Sequence, residues 1–374
     1  MYTDFRNILC DKLAAVSEIY NQFGTIMSND AIIDINGRKL LNFRNPDSLG
    51  LSNSFAVESA QNDVQGTNEE LTAELEKKIA HLLNTESCIL FNSQTDAHCA
   101  LTNHLLDRTD AVIYGAVSQF STTGSASICK PVKYKYHDSI DDLEKQLKLS
   151  QAQQNRLLIV DAIDIATGSI APFNQIMAVA NRYKAVVAID ETLTAGTIGN
   201  NGQGVCDLFG QDINPEIKIG SLRNFGCNCG AFIAGKREII DWLRQQNAPA
   251  TNSAPLTHSN LASSNVALDM CVQMNAERQY LLQITNFFIK KLYCLGFEIP
   301  PTQSYQFAIM VENSVKAEQL SATLAKNGIL VSVLTTPFVG KDSARLIIRL
   351  SAKHTESDIT SATEVFKKAS QDIL

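Results

Sequence analysis

The chain has 374 residues, of which 45% are hydrophobic and 19% are charged. At about 150 residues per domain, this length predicts two to three domains with a sizeable buried core, and the composition excludes a disordered or fibrous protein. The formal net charge is -7, which repels phosphate backbones. We therefore expect no nucleic acid partner.

Nine cysteines are scattered along the chain, mostly inside apolar runs such as residues 87–91. This odd number and this placement are typical of reduced, buried thiols in a cytosolic chain. The close pair Cys227 and Cys229 lacks the further ligands of a tetrahedral site, so we expect no metal. No run reaches the ~20 apolar residues that span a bilayer, and no signal-peptide pattern is visible. We therefore expect no transmembrane segment in this chain.

The N-terminal part of the chain contains two local patterns. Apolar residues recur at helical spacing over residues 4–23, which predicts an amphipathic helix. The pair Asn36-Gly37 then separates two apolar segments and predicts a β-hairpin. We assign residues 1–48 to an N-terminal arm of helix and hairpin.

From Thr67 onwards, helical and strand patterns alternate. Thr67 and Glu70 have the spacing of a capping box at the start of an apolar helix, 71–83. Strands are predicted at 87–91, 111–114, 132–136, 156–161, 185–189 and 216–220, and further helices at 94–106, 139–149 and 173–183. Strands that are apolar on both faces and separated by helices are typical of a mainly parallel sheet covered on both sides. The sequence therefore predicts a large α/β domain over residues 49–272.

The C-terminal part has a different pattern. A long helix is predicted at 261–295, followed by strands at 307–311, 330–334 and 346–350 and helices at 316–327 and 356–373. These elements predict a small α+β domain over residues 273–374.

Polar residues stand at the ends of three predicted strands of the large domain. Asp161, Asp190 and Ser221 occupy these positions, where open parallel sheets bind ligands. The loop 92–95 offers hydroxyls and backbone amides at a helix N-terminus, which suits an anion. Asp190 fits a simple cap of the following turn equally well, so that alternative stays open.

Several short segments of the sequence together resemble segments of a known family. They are residues 49–52 (LGLS), 75–76, 167–172 (TGSIAP), 190–204, 234–238 (AGKRE) and 351–355 (SAKHT). In this order and spacing the chain resembles the fold-type I pyridoxal phosphate enzymes of the α-oxoamine synthase family. The resemblance implies an aspartate-aminotransferase-like fold and a reaction that joins an amino acid to an acyl-CoA with loss of carbon dioxide.

The chain departs from the family at the residues that would hold the cofactor. The resemblance implies a Schiff-base lysine in the turn after strand 216–220, and Arg223 stands at that position. A guanidinium offers no free amine, because its pKa is above ~12. Gln119 and Leu193 replace two family histidines, whereas Asp190 is kept as the implied cofactor contact.

Two further positions bear on catalysis. An arginine that the family uses for the substrate carboxylate corresponds to Ile347, which is flanked by Arg345 and Arg349. The lysine nearest to the missing one is Lys218, which lies inside a predicted strand, five residues before Arg223. We therefore expect no catalytic residue in this chain.

Within the family, this combination of losses is similar to the non-catalytic first subunit of serine palmitoyltransferase, the long-chain base subunit 1 type. That branch also has a leucine followed by a small hydroxyl residue, like Leu193-Thr194, in the aspartate loop. This chain is shorter than the family between Leu51 and Gly66, and it lacks the N-terminal membrane helix that such subunits often carry.

The resemblance implies a heterodimer with the catalytic subunit 2, which carries the lysine and the pyridoxal phosphate, so that this chain binds no cofactor covalently. Palmitoyl-CoA and L-serine would meet at the shared site and give 3-ketosphinganine, on the cytosolic face of the endoplasmic reticulum. Asn252 and Ser253 resemble the element that reaches across the interface to the cofactor phosphate. Two alternatives stay open: an active homodimeric α-oxoamine synthase that uses Lys218, and a pseudoenzyme that binds another ligand.

Overall fold

A computed structural model describes most of the chain. The described residues are 28, 30–35, 37–62, 65–137, 139–210, 213–227, 229–246, 254–336 and 338–373. The helix predicted at 4–23, the turn residue Asn36 and the candidate residues Asn252 and Ser253 lie outside these ranges.

The described chain forms helices and strands in an order that alternates through its middle part. The helices are α1 (Phe55–Asn62), α2 (Asn68–Leu82), α3 (Gln94–His104), α4 (Phe120–Ile128), α5 (Ile140–Leu149), α6 (Phe173–Arg182), α7 (Arg237–Gln245), α8 (His258–Gln273), α9 (Asn275–Cys294), α10 (Ser314–Lys326) and α11 (Glu356–Ile373). The strands are β1 (Ile32–Ile35), β2 (Arg38–Asn42), β3 (Ser87–Phe91), β4 (Ala111–Gly115), β5 (Val132–Tyr136), β6 (Arg156–Asp161), β7 (Val186–Asp190), β8 (Ile217–Ser221), β9 (Ala231–Gly235), β10 (Gln306–Met310), β11 (Ile329–Leu330), β12 (Ser332–Leu334) and β13 (Arg345–Arg349).

Seven strands form the central sheet, in the order β3-β9-β8-β7-β6-β4-β5. The strands β8, β7, β6, β4 and β5 pair in parallel, and β9 runs antiparallel to both of its neighbours. This sheet confirms the predicted α/β fold with mainly parallel strands. Its parallel connections place the carboxyl ends of β6, β7 and β8 along one edge.

Helices cover both faces of the central sheet. On one face, Leu101 of α3 and Ile240 of α7 pack in a cluster with Val112 of β4. On the other face, Leu143 of α5 and Ile176 of α6 pack in a separate cluster of buried residues. Because both faces are buried, the inner strands carry few polar residues, whereas the edge strand β5 alternates Lys133 and Lys135 with apolar residues.

Two smaller sheets lie outside the central one. β1 and β2 form the predicted hairpin, and β11 adds to β2 in parallel. β10, β13 and β12 form an antiparallel sheet near the C-terminus. None of the helices in the described part of the chain is long and apolar enough to cross a membrane.

The capping box at the start of α2 is confirmed. The backbone N–H of Glu70 donates to Thr67 Oγ1 at 3.2 Å, and the backbone N–H of Thr67 donates to Glu70 Oε2 at 2.8 Å. The helix begins at Asn68, three residues before the predicted start, because the cap lies immediately before it.

The long helix predicted at 261–295 is two helices. The backbone leaves the helical conformation at Met274, with φ -85° and ψ 46°, between α8 and α9. Beyond this break, the guanidinium of Arg278 donates to the carbonyl of Gly196 at 2.8 Å, which ties the start of α9 to the large domain. The strand predicted at 330–334 is also divided, because β11 pairs with β2 whereas β12 pairs with β13.

Candidate active site

Three polar residues meet at the carboxyl edge of the central sheet, where the sequence predicts a ligand site. Asp161 ends β6, Asp190 ends β7 and Ser221 ends β8. Asp161 and Asp190 are register partners on adjacent strands, so their Cα atoms lie about one strand spacing, ~5 Å, apart.

His98 of α3 contacts Asp190 in the interior. Neither side chain is exposed, and His98 Nε2 lies 3.1 Å from Asp190 Oδ2, although the two groups are not aligned as a regular hydrogen bond. The other ring nitrogen, Nδ1, is 2.8 Å from the carbonyl oxygen of Gln94. Because a carbonyl only accepts, Nδ1 carries a proton, and the contact at Nε2 then requires a further proton shared with Asp190.

This arrangement shifts the pKa of His98. Burial lowers the pKa, but the contact with Asp190 and the nearby charge of Asp161 outweigh burial, so that the pKa of His98 is raised above its usual value. The second oxygen of Asp190, Oδ1, accepts the backbone N–H of Thr192 at 2.9 Å. Oδ1 of Asp190 thus has a hydrogen-bond partner in this chain, whereas Oδ2 has only the contact with His98.

Asp161 is the carboxyl group of this site whose pKa is raised. Its Oδ2 accepts the backbone N–H of Gln119 at 3.1 Å, whereas its buried Oδ1 has no hydrogen-bond partner among the described residues. Burial and the neighbouring Asp190 raise the pKa of Asp161 to about 8. Asp161 is therefore mostly protonated at neutral pH.

The turn after β8, Leu222–Phe225, contains no lysine. Arg223 is half-buried there, and its backbone N–H donates to Ser221 Oγ at 3.2 Å. Next to it, the side-chain amide of Asn224 donates to the carbonyls of Thr192 and Ala195, both at 2.8 Å. These bonds tie the turn to the loop after β7 without offering an amine.

Lys218 does not compensate for the missing lysine. It lies in β8 with only 4% of its surface exposed, and its Nζ donates to the carbonyl of Leu83 at 2.8 Å. Leu83 is the C-cap of α2, so the amine serves a helix end.

The two positions where the family has histidines take structural roles. Gln119 precedes α4 and binds Asp161 through its backbone. Leu193 is buried in the core, and its carbonyl accepts the hydroxyl of Tyr305 at 2.9 Å. The loop 92–95 joins the same edge of the sheet, because Gln94 Nε2 donates to Thr192 Oγ1.

An arginine lies near the site, two residues after Ile347. Ile347 and Arg349 share one face of β13 because successive strand residues alternate. Arg349 Nε donates to Gln306 Oε1 at 2.6 Å. Burial lowers the pKa of Arg349, and the charge of Arg223 lowers it further.

These residues do not fit the family's covalent way of holding pyridoxal phosphate. The turn after β8 has no amine for the cofactor aldehyde, the amine of Lys218 is bound to Leu83, and Gln119 and Leu193 provide no imidazole. Asp190 remains at the end of β7, already in contact with His98. The arrangement can hold protons at Asp161 and His98 and attract an anion to Arg223 and Arg349.

Sequence reasoning assigned His98 no function. It is the buried partner of Asp190. The available signal was its position one helical turn after the loop 92–95, at the same end of the sheet as Asp190. A single histidine at that spacing could not be distinguished from an ordinary core residue.

The fold and this edge site define a pyridoxal-phosphate-transferase-like protein. A sequence model of the family described as aminotransferase class I and II matches residues 53–366. The chain belongs to this family and, within it, to the α-oxoamine synthases.

Curated relatives and solved structures agree on this family. The 8-amino-7-oxononanoate synthase of Petrotoga mobilis is 28% identical over 92% of this chain and 91% of its own length. The 2-amino-3-ketobutyrate coenzyme A ligase of Escherichia coli is 30% identical over 80% of this chain and 76% of its own length. The serine palmitoyltransferase of Sphingomonas wittichii has a TM-score of 0.87 at 20% identity, covering 100% of this chain and 98% of that structure. At that identity the structural likeness shows the fold alone.

Proposed function

We propose that this chain is the catalytically silent subunit of a heteromeric α-oxoamine synthase of the serine palmitoyltransferase type. One observation carries the proposal: the turn Leu222–Phe225 has no lysine, although the seven-stranded sheet that positions this turn is formed. We would not expect a chain that had lost its function entirely to retain the buried cluster of Asp161, Asp190 and His98.

The partner in this proposal is a lysine-bearing subunit of the same family, which holds the pyridoxal phosphate. Support for a covered surface comes from α4, where Phe120, next to Gln119, is 75% exposed and Ile128, at the other end of the helix, is 70% exposed. Large exposed apolar side chains at a site are typical of an interaction surface. Asn252 and Ser253 are the residues proposed to contact the partner's cofactor.

The proposed substrates are L-serine and palmitoyl-CoA, and the proposed location is the cytosolic face of the endoplasmic reticulum, through the complex. The names of relatives differ on this point, because several curated sequences are named 8-amino-7-oxononanoate synthase and one 2-amino-3-ketobutyrate coenzyme A ligase, whereas several solved structures are named serine palmitoyltransferase. The choice of these substrates rests on the pair Leu193-Thr194, which resembles the corresponding pair in the silent subunit of serine palmitoyltransferase.

Co-expression tests the proposal. The chain is produced alone, with a lysine-bearing homologue, and with the same homologue after its Schiff-base lysine is changed to alanine. We expect co-purification in the second and third preparations, and release of CoA from palmitoyl-CoA and L-serine only in the second. An 8-amino-7-oxononanoate synthase as the added homologue is the matched control for substrate type.

The same preparations test the alternative that uses Lys218. Borohydride reduction of the chain alone with pyridoxal phosphate, followed by peptide mapping, is expected to label no lysine stoichiometrically. A stoichiometric adduct on Lys218 together with turnover would overturn the silent-subunit proposal. Failure to bind any lysine-bearing homologue would favour a pseudoenzyme with another ligand.

A further inference from the structure

The outer edge of the central sheet carries exposed apolar side chains. β5 is the last strand of this sheet, and its ladder partner is β4. Ile128 at the end of α4, Val132 at the start of β5 and Leu149 at the end of α5 are 70%, 40% and 56% exposed. Together with four lysines they form a surface that we call the β5 rim, made of Ile128, Lys130, Val132, Lys133, Lys135, Lys148 and Leu149.

Hydrogen bonds hold the parts of the β5 rim together. On one face of the sheet, Lys133 Nζ donates to the carbonyl of Ser127 at 2.9 Å, which fixes β5 against the end of α4. On the other face, the hydroxyl of Tyr134 donates to Gln153 Oε1 at 2.9 Å and lies 3.4 Å from the carbonyl oxygen of Leu149. The end of α4, the strand β5 and the end of α5 therefore form one continuous surface.

The β5 rim is positively charged. Its four lysines, Lys130, Lys133, Lys135 and Lys148, are exposed. Within the part of the chain that the structure describes, none of the four forms an ion pair with a carboxylate. The ammonium group of Lys135 lies over the ring of Tyr114 instead, 5.7 Å from the ring centroid. Because the whole chain has a net charge of -7, the rim is a local positive region on an acidic protein.

The loop before β4 lies next to the β5 rim and adds little charge to it. The backbone N–H of Val132 donates to the carbonyl of Asp110 at 2.9 Å. The carboxylate of Asp110 is buried and accepts the backbone N–H groups of Asp107 and Asn155 at 2.7 and 3.0 Å. Asp107 itself is exposed, but the adjacent Arg108 is also exposed and offsets its charge.

Two ordinary roles do not explain this mixture of residues. Lysines on an edge strand prevent pairing with another sheet, but the exposed Ile128, Val132 and Leu149 beside them favour association. The centre of a protein–protein interface is depleted of lysine, whereas each of these three apolar residues has a lysine within two positions in the sequence. A lipid headgroup layer suits the mixture, because apolar side chains insert between lipids while ammonium groups reach the phosphates.

We propose that the β5 rim is a docking surface for an anionic lipid membrane. Ile128, Val132 and Leu149 enter the headgroup region, and the four lysines contact lipid phosphates. Because α4 ends just before β5 and α5 ends just before β6, most of the rim lies toward the amino ends of the strands. The carboxyl edge with Asp161 and Asp190 therefore stays accessible. Only the identity of the membrane rests on the proposed function.

Flotation with lipid vesicles tests the proposal on the full chain alone. The vesicles contain equal parts of phosphatidylcholine and phosphatidylserine, or phosphatidylcholine only. A chain with a net charge of -7 and no local positive surface would be repelled by phosphatidylserine. We expect flotation with the anionic vesicles, about tenfold weaker binding to phosphatidylcholine, and weaker binding at high salt. No flotation, or equal flotation with both kinds of vesicle, would overturn the proposal.

Charge reversal locates the binding surface. The double variant Lys133→Glu, Lys148→Glu is expected to bind anionic vesicles at least about twentyfold more weakly, since each lysine near such a surface contributes about fivefold. Lys367→Glu with Lys368→Glu is the matched control, because both lysines are exposed on α11 and the change in net charge is the same. The control should change binding by less than about threefold. Equal losses in the two double variants would overturn the proposal.

Removal of an apolar side chain tests insertion. Leu149→Ser is expected to weaken flotation about fivefold, whereas Val315→Ser, on α10 and 63% exposed, should leave it unchanged. Equal flotation of both variants would contradict insertion of Leu149.

A protein partner on the β5 rim would give a different result. A chain that does not float, but loses its complex with a lysine-bearing homologue after Lys133→Glu and Lys148→Glu, would make the rim a protein interface and overturn the membrane proposal. Because flotation uses the chain alone, failure of the heteromeric assay would leave the flotation results unchanged, and the two proposals can fail separately.

Discussion

At the residue scale, the burial of Asp161, Asp190 and His98 depends on how many protons these three side chains hold. Two carboxyl groups on adjacent strands cannot both ionise cheaply in a buried environment. The contact with Asp190 raises the pKa of His98, and the pKa of Asp161, about 8, keeps that carboxyl group mostly protonated at neutral pH. A protonated Asp161 avoids one buried negative charge, which makes the burial of the cluster tolerable.

Asp161→Asn tests this protonation state. The pKa of Asp161 is raised from 3.8 to about 8, so the folded state holds a proton that the unfolded state has lost between about pH 4 and pH 8. The stability of the natural chain therefore falls as pH rises through that window, whereas the uncharged asparagine has no such loss. We expect similar melting temperatures at pH 5 and a variant that is more stable by roughly 4 kcal/mol at pH 8.5. Thermal denaturation at both pH values provides the measurement.

His98→Ala tests the buried contact. Removing the imidazole leaves the Asp190 charge without its partner, and breaking a buried pair costs about 3 kcal/mol. His104→Ala, on the same helix but partly exposed, is the matched control and should change stability by less than about 0.5 kcal/mol. Urea denaturation measures both. If the two variants lose the same stability, the His98 contact is not a charged pair.

Arg223→Lys returns an amine to the turn after β8, and we expect it to leave the chain inactive. Gln119 and Leu193 would still provide no imidazole, and groups that act as a unit are not restored singly. The measurement is CoA release by the purified variant, with the natural chain as control. Turnover by this single variant would show that the lysine is the only functional loss.

At the element scale, the sequence predicts the helices and strands whose residue pattern reflects their burial. The strands β3, β5 and β6 match their predicted bounds. β3 and β6 are short apolar runs, and β5 alternates lysine with apolar residues, so each has a recognisable strand pattern. The helix α4 was not predicted, since Phe120–Ile128 contains glycine, serine and threonine, which are weak helix formers. The strand β9 was not predicted either, because a five-residue apolar run is ambiguous by periodicity alone.

In the site, as in the fold, features with a local sequence pattern are predicted and features that depend on tertiary contacts are not. Asp190 was found because it follows a strand, and the missing lysine was found through the family resemblance. The contacts of His98 with Asp190, of Lys218 with Leu83 and of Asn260 with Cys229 join residues far apart in sequence. No periodicity in a single sequence encodes such pairs. The break at Met274 is hidden for the same reason, since it accompanies the tie between Arg278 and Gly196.

At the scale of the whole molecule, a silent site can still be needed by a partner. The family resemblance implies an active site between subunits, so we propose that this chain, without the lysine, completes the site of a neighbour. The division into an arm, a large domain and a small domain at residues 48 and 272 stays a prediction, and so does the partner. We expect a heterodimer that buries more than the ~2,000 Å² of an obligate interface.

Replacement of Asn252 and Ser253 by alanine tests this completion. Both residues lie outside the described ranges, and their proposed contact is the phosphate of the partner's cofactor. Each lost hydrogen bond to a charged group costs about 1.5–3 kcal/mol, so the pair should weaken cofactor retention in the complex at least tenfold. Size-exclusion chromatography should show an intact complex, because alanine removes no large contact area. Thr251→Ala is the neighbouring control and should change cofactor occupancy less. Unchanged occupancy and rate in the double variant would mean that this chain only stabilises its partner and contributes no residue to the shared site.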